Sequence, residues 1–387
     1  MLQRLFIFLL IFLILPDIYL YLRFIVHLTA RRWLKILYWL PTFLLSTGLL
    51  YLVYFSNNAF AERHTQDIGW FSIFFFLFTA PKLLLFLCTV IGIPFHKWLR
   101  WPRTPFICTG LTLAVVSIVM IIYGSFIGRT QFDVKEVTYS SSKLPSSFDG
   151  YRIVQLSDIH IGSWQGNASA IQNLVNLVNE QHPDLIAFTG DLVNHRAIEL
   201  NDFQHILAGL KAKDGVYSIL GNHDYGPYFW KNKQEQDDNL SDLQQRQAAM
   251  GWKLLNNSHT ILIQGNDSIA LIGVENEGEP PFSQYADLPK AMQGTEGMFQ
   301  ILLSHNPTHW RREVLPESDI DLMLAGHTHA MQLKLGNYSP SSYIYPEWSG
   351  MYLEGTRGLY VNVGIGYVGL PFRFGAWPEI TVLTLRR

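Results

Sequence analysis

Four long apolar stretches, near Leu5–Leu28, Lys35–Phe55, Ile68–Ile93 and Phe106–Ile127, fill the first third of this 387-residue chain. Each is long enough to cross a hydrocarbon core of roughly 30 Å as a helix. In lipid a helix satisfies its own backbone hydrogen bonds, which an open strand or loop cannot do. Four such stretches in succession argue against a single cleavable signal sequence. Residues 1–128 therefore read as a transmembrane region, 129–150 as a linker with a first strand, and 151–387 as a separate domain.

Cation placement sets the expected orientation, because cytoplasmic loops carry an excess of Lys and Arg. Arg31 and Arg32, flanked by Arg23 and Lys35, join the first two stretches, and Lys97, Arg100 and Arg103 join the last two. The middle connection sets Arg63 against Glu62 and Asp67. Loops one and three are expected inside, so both termini and the C-terminal domain are expected outside the cytoplasm, on a plasma or inner membrane. Asp17 and Lys82 each follow a proline inside an apolar stretch. Charges at that depth are costly and face partners, so the two are expected to pair across the first and third helices.

Net charge divides the chain as sharply as hydropathy does. Residues 1–130 carry 11 Lys/Arg and 3 Asp/Glu, which leaves the remainder at −10 of a total of −2. An acidic domain excludes nucleic acid as a partner, since phosphate neutralisation needs a basic face. The only cysteines, Cys88 and Cys108, lie in apolar stretches, so the acidic domain has no thiolate for zinc.

In the acidic half, short β-rich runs alternate with helix-like segments, as in a layered α/β domain. Ile171, Leu174, Val175 and Val178 form one helical stripe, Phe203, Ile206, Leu207 and Leu210 another within 202–211, and residues 231–250 read as a polar helix. Five strands end in loops rich in Asp, His or Asn. YRIVQL runs into Asp158 and His160, DLIAFT into Gly190-Asp191, GVYSIL into Gly221-Asn222-His223-Asp224, FQILL into Ser304-His305, and IDLMLA into Gly326-His327-Thr328-His329. Loops at the C-terminal ends of strands converge on one edge of an α/β sheet. Seven N and O donors exceed one tetrahedral ion and suit two ions sharing a carboxylate. Without thiolate, the set fits Zn, Mn or Fe better than Mg or Ca.

These five blocks, D-x-H, GD, GNHD, H and GHTH, in this order, resemble the calcineurin-like metallophosphoesterase superfamily. The stretches LPSSFDGYRIVQLSDIHIG, AGHTHAMQL and GAWPEITVLTL are similar to its membrane-anchored branch, the transmembrane proteins with a metallophosphoesterase domain. The resemblance implies a double-layered β-sandwich flanked by helices, two divalent metal ions and phosphoester hydrolysis. It implies that Asp158, His160 and His329 hold one ion and Asn222, His305 and His327 the other, with Asp191 bridging. Where that branch commonly carries two glycines after GHTH, this chain has Ala330 and Met331.

The expected chemistry is in-line attack on phosphorus by a water activated between the two ions. His223 is the candidate proton donor to the leaving oxygen, with Asp224 orienting its ring. The expected partners are membrane lipids and a phosphoester, possible substrates including lipid-linked ones. Two alternatives stand beside this: a pyrophosphate hydrolase acting on a lipid-linked nucleotide such as UDP-2,3-diacylglucosamine, and a non-catalytic metal or phospholigand-binding membrane protein. Tyr225, Tyr228, Phe229 and Trp230 either shape a groove, rest at the membrane interface or pack as a loop. Arg373 reads as a surface arginine, with phosphate contact as the alternative. His182, His195, His205, His259 and His309 fit no ligand block and read as structural or exposed.

Overall fold

The computed structural model describes residues 2–55, 65–226, 229–230, 232–278, 280 and 282–387. Glu62, Arg63 and Tyr228 lie outside the described residues. The chain divides into two units, Met1–Ile127 with Gly369–Phe372, and Gly128–Val368 with Arg373–Arg387.

The first unit consists of helices α1 (Leu2–Leu20), α2 (Arg32–Phe55), α3 (Thr65–Leu99) and α4 (Thr104–Phe126). After Leu20 the first helix continues as a π-helical turn, Tyr21–Ile25, and a last turn, Val26–Leu28. All four are long and apolar enough to cross a membrane. Their surface is inverted relative to a water-soluble bundle: Ile36, Phe43 and Val115 are 73, 66 and 60 % exposed, whereas Asp17 is fully buried. Large apolar side chains outside and a charge inside are what a lipid solvent selects. Lys82 on α3 meets Asp17 on α1, with Nζ 2.7 Å from Oδ1. From α2, the Tyr38 hydroxyl donates to Asp17 Oδ1 at 3.2 Å, and the Thr42 hydroxyl donates to Oδ2. The expected ion pair is thus present, inside a cluster that ties three helices. Such a cluster leaves no carboxylate oxygen unsatisfied where water is absent.

The second unit is built on two six-stranded sheets. The strands are β1 (Asp133–Ser140), β2 (Arg152–Leu156), β3 (Leu185–Phe188), β4 (Val216–Ser218), β5 (Lys253–Leu254), β6 (Ser258–Gln264), β7 (Asp267–Gly273), β8 (Phe299–Leu303), β9 (Leu322–Ala325), β10 (Gly350–Glu354), β11 (Arg357–Val361) and β12 (Glu379–Arg386). One sheet runs β1-β12-β2-β3-β4-β5 and the other β10-β11-β9-β8-β7-β6. Between them lies one core, with Ile153, Leu185, Tyr217 and Leu383 from the first sheet and Ile269, Ile301, Leu322 and Tyr360 from the second.

Strand periodicity explains why these runs are continuously apolar. Successive residues face opposite sides, so Leu185 and Ala187 of β3 enter the inter-sheet core while Ile186 and Phe188 join an outer one. Helix α5 (Ala168–Glu180) covers that outer face with Ile171, Leu174, Val175 and Val178. On the far face of the second sheet, Leu288, Trp310 and Val314 cover Ile272, Leu302 and Met323. The polar helix α6 (Lys233–Ala249) buries only Leu243 and Gln247.

The second stripe behaves differently from expectation. Phe203, Ile206, Leu207 and Leu210 are all buried, yet only Gln204–Leu207 is helical, because the chain turns at Ala208–Gly209. Burial was encoded there; helix length was not. Strands β2, β3 and β4 run parallel, as do β7, β8 and β9. Parallel pairing carries the five polar loops to one edge of the sandwich.

Candidate metal centre

The loop after β2 carries Asp158 and His160, that after β3 Asp191, and that after β4 Asn222, His223 and Asp224. From the second sheet, β8 delivers His305 and β9 delivers His327 and His329. Their donor atoms fall into overlapping groups: Asp158 with His160 and His329, His160 with Asp191 and His223, and Asp191 with His305 and His327, each within 4.8 Å. His329 Nε2 lies 3.1 Å from Asp158 Oδ1 and 3.1 Å from His160 Nε2. Asp191 Oδ2 lies 3.2 Å from His305 Nε2 and 3.6 Å from His160 Nε2, so this carboxylate touches both halves of the cluster. Asn222 lines the same cleft of about 460 Å³ with Asp191, His327 and His329. All seven expected ligands are therefore brought together.

The donor set fits divalent cations on two counts. Asp158 Oδ1, His160 Nδ1 and Asn222 Oδ1 are buried with no hydrogen-bond partner among the described residues, which is costly unless another group satisfies them. The backbone is also strained at the site. Asp158, His160, Asp191, His327 and His329 have φ of 51, 46, 58, 73 and 50°, in the left-handed region. Such conformations cost about 1–2 kcal/mol per residue and cluster where function requires a side-chain direction. Two glycines make room: a Cβ on Gly221 would collide with the Asp191 carboxylate, and one on Gly326 with Ser157 and Asp158.

Electrostatics couple the groups. Burial raises the Asp191 carboxyl, but the His305 and His223 charges outweigh it and hold the group well below the usual carboxylate range. Asp158 is likewise held low, burial being overcome by His329 and then His305. Burial alone would lower His305, yet Asp191 raises it to about 9. His327 is lowered to about 3 by burial and then by His305. A carboxylate pair in such a histidine nest stays ionised at neutral pH, as metal ligands must.

Outside the ligands, two expectations need correction. Asp224 does not orient the His223 ring. That ring directs Nδ1 to the Asn194 carbonyl at 2.8 Å. Asp224, fully buried, accepts four backbone N–H groups instead: Asp191 and Gly221 on Oδ2, each at 2.9 Å, and Leu192 and Val193 on Oδ1 at 2.8 and 3.1 Å. Burial and the Asp191 charge push this carboxyl up to about 7, against the pull of those donors. Arg373 is not on the surface; it is fully buried and donates to His329 Nδ1 at 3.0 Å. His195, assigned to no block, sits 5.5 Å from His223 between ring centroids and stacks on Phe229 at 5.9 Å.

Of the other histidines outside the blocks, His182 and His205 are exposed and two hold structure together. His309 bonds Ser304 and Glu313, and His259 meets the Ala291 carbonyl. Of the aromatic cluster, Tyr225 is buried with its hydroxyl on Glu275, and Phe229 packs edge-on against Trp230, so these rings act as loop packing. Ala330 and Met331 take φ of 47 and 46°, the left-handed geometry that glycine adopts without strain. Met331, 41 % exposed, lines the cleft.

Sequence reasoning missed further neighbours of the centre. Phe282 lies edge-on to His327 at 4.7 Å, and the Tyr345 hydroxyl is 3.0 Å from His327 Nε2. Glu199 accepts from the backbone N–H groups of Gly162, Asn194, His195 and Arg196, which fixes the loop that holds His223. The spacing of Glu199 three residues after Arg196, beside a short helix, was the one local signal available.

Comparison with known proteins adds to this geometry. Residues 151–331 match the family model described as calcineurin-like phosphoesterase, and residues 3–129 the one described as probable calcineurin-like phosphoesterase, transmembrane domain. The chain is 31 % identical over 280 residues to the uncharacterized metallophosphoesterase YkuE of Bacillus subtilis, covering 68 % of this chain and 89 % of that protein. It is 32 % identical over 283 residues to a transmembrane protein with metallophosphoesterase domain from Danio rerio, covering 70 % of this chain and 62 % of that longer relative. The Bos taurus protein of the same description is 29 % identical over 327 residues, covering 79 and 71 %.

Proposed function

The chain belongs to the calcineurin-like metallophosphoesterase family, in its membrane-anchored form, and from that premise we propose that it hydrolyses a phosphoester with two divalent ions. In this reading Asp158, His160 and His329 hold one ion, Asn222, His305 and His327 hold the other, and Asp191 is shared. The observation that carries it is the position of Asp191, whose carboxylate belongs to the groups on both sides of the cluster. Bound Mn, Zn or Fe supplies Lewis acidity, neutralising phosphate charge and making water nucleophilic near neutral pH.

The protein's own groups do the rest. His223 carries a proton to the leaving oxygen through Nε2, since its Nδ1 is engaged by the Asn194 carbonyl at 2.8 Å. Asp224 keeps the Asp191 loop in its strained conformation through four N–H contacts. Phe282, Met331, Tyr345 and Val368 give the cleft an apolar wall, which favours an ester with an apolar part over a small inorganic ion. With a catalytic domain on a membrane anchor, a lipid-linked phosphoester, pyrophosphates included, is the substrate class that wall suits. The Lys and Arg bias of the loops supports an extracytoplasmic site.

The test is the full chain in nanodiscs with added Mn²⁺, assayed on an aryl phosphate monoester, a bis-aryl diester and a lipid-linked nucleotide pyrophosphate. Metal-dependent release of product from at least one class, abolished by Asp191→Asn, is the expected result. Ligand retention with no product in any class would favour the non-catalytic binding reading.

A further inference from the structure

A histidine that ligates through one ring nitrogen ordinarily gives the N–H of the other to an acceptor, which fixes its tautomer and makes the ligand more basic. His305 obeys this rule: Nε2 points at Asp191, and Nδ1 meets the Thr189 carbonyl at 2.7 Å. His327 has Nδ1 3.3 Å from His305 Nε2 and a Tyr345 hydroxyl, able to accept, 3.0 Å from its Nε2. His329 breaks it. Its Nε2 faces Asp158 Oδ1 at 3.1 Å, while its Nδ1 meets Arg373 Nη2 at 3.0 Å.

A guanidinium has five donors and no acceptor. Nδ1 of His329 must therefore be the acceptor, which leaves the ring proton on Nε2, the nitrogen that faces the cluster, 3.1 Å from His160 Nε2. A ring in that tautomer cannot bind a cation through Nε2. Nor can Arg373 turn away at low cost. It is fully buried, and it donates from Nε to the Gly366 carbonyl at 2.7 Å, from Nη1 to Ala376 at 2.8 Å and from Nη2 to Val363 at 2.9 Å. Swinging it aside would orphan three buried carbonyls. A fixed positive charge behind the ring also opposes a cation in front of it.

We infer that Arg373 makes the two metal positions unequal: it is a positioning residue that opposes metallation of His329, so the ion at Asp158–His160–His329 is the weaker and more exchangeable one. This rests on the two-metal reading above. Occupancy of that position then responds to metal supply, while the Asn222–His305–His327 position, with ordinary partners behind its imidazoles, stays filled.

The experiment uses the full chain in nanodiscs, stripped with chelator, dialysed and titrated with Mn²⁺ by calorimetry at fixed pH. Two binding steps of clearly different affinity are expected. Arg373→Met keeps the side-chain stem but removes charge and donors, and should tighten the weak step about 10–100-fold relative to the strong one. An unchanged ratio of the two constants, or equal weakening of both as for a structural prop, overturns the inference. If Met at this position prevents folding, nitrogen-15 histidine NMR of the metal-free wild type decides, with His329→Gln assigning the signal. A bare Nδ1 and a protonated Nε2 are expected, and a protonated Nδ1 overturns it. Absence of any Mn²⁺ binding would instead sink the two-metal reading itself, so the two failures are distinguishable.

Discussion

Changing Asp224 to Asn alters a single functional group yet should damage both metal positions. At pH 8, above the Asp224 value of about 7, the side chain is a carboxylate that accepts four backbone N–H groups. Asn replaces one of its oxygens by an NH₂ that faces two of those donors. Whichever oxygen is lost, two buried N–H groups lose their acceptor, at about 1–3 kcal/mol each, or about 2–6 kcal/mol together. For a unit of this size that corresponds to a fall in melting temperature of about 4–24 °C. The Asp191 loop is the one that loosens, and Asp191 belongs to both ligand groups. Asp224→Asn in nanodiscs should therefore melt early and retain less Mn²⁺ at both positions, read by fluorescence melting and by metal analysis. A side chain whose role was only to orient His223 would instead lose turnover while keeping metal and stability. That outcome, wild-type melting and full metal content with slow catalysis, would refute the clamp.

Three further outcomes follow from the same contacts. His223→Ala should keep the metal content of the wild type while lowering kcat about 10²–10⁴-fold; parallel loss of metal would make His223 a ligand. His195 is lowered from 6.5 to about 4 by burial and then by the His223 charge. Above pH 6.5 it is neutral in folded and unfolded chains alike. As pH falls toward 4 only the unfolded chain takes up the proton, so stability drops by at most about 3 kcal/mol. His195→Phe should flatten that acid slope in melting experiments, and an unchanged slope would show that other groups set it. In the membrane unit, Asp17→Asn or Lys82→Met alone should destabilise by up to about 3–5 kcal/mol, at the low end because the Lys82 side chain is 20 % exposed. The double variant should recover part of that loss in detergent-melting assays; additive losses would show that the pair is not coupled.

Much of this molecule was legible in its sequence because the signals were local. Apolar runs of helix length marked the four spans, and apolar runs of strand length, each ending in Asp, His or Asn, marked the ligand loops. Parallel strands then left only one edge on which those loops could meet. Strand β5 has two residues and β10 is partly exposed, so neither stands out as an apolar run. The helix expected at 202–211 failed because burial and helix length are separate properties, and Gly209 ends the turn. What sequence could not convey was the support behind the ligands. Arg373 looks like any loop arginine in PFRFG, and only packing brings it behind His329, 44 positions away. Asp224 sits next to His223, which invited a pairing that the fold does not make. Its four partners lie on its own loop and on a loop some 30 positions earlier.

Electron paramagnetic resonance of the Mn²⁺-loaded full chain tests the central claim most directly, because it reads the distance-dependent coupling of two ions without reference to any substrate. A shared Asp191 carboxylate requires an exchange-coupled pair once two equivalents are bound, and Asp191→Asn should abolish the coupled spectrum. Spectra of isolated Mn²⁺ at every stoichiometry, unaffected by that substitution, would contradict the existence of a single binuclear centre.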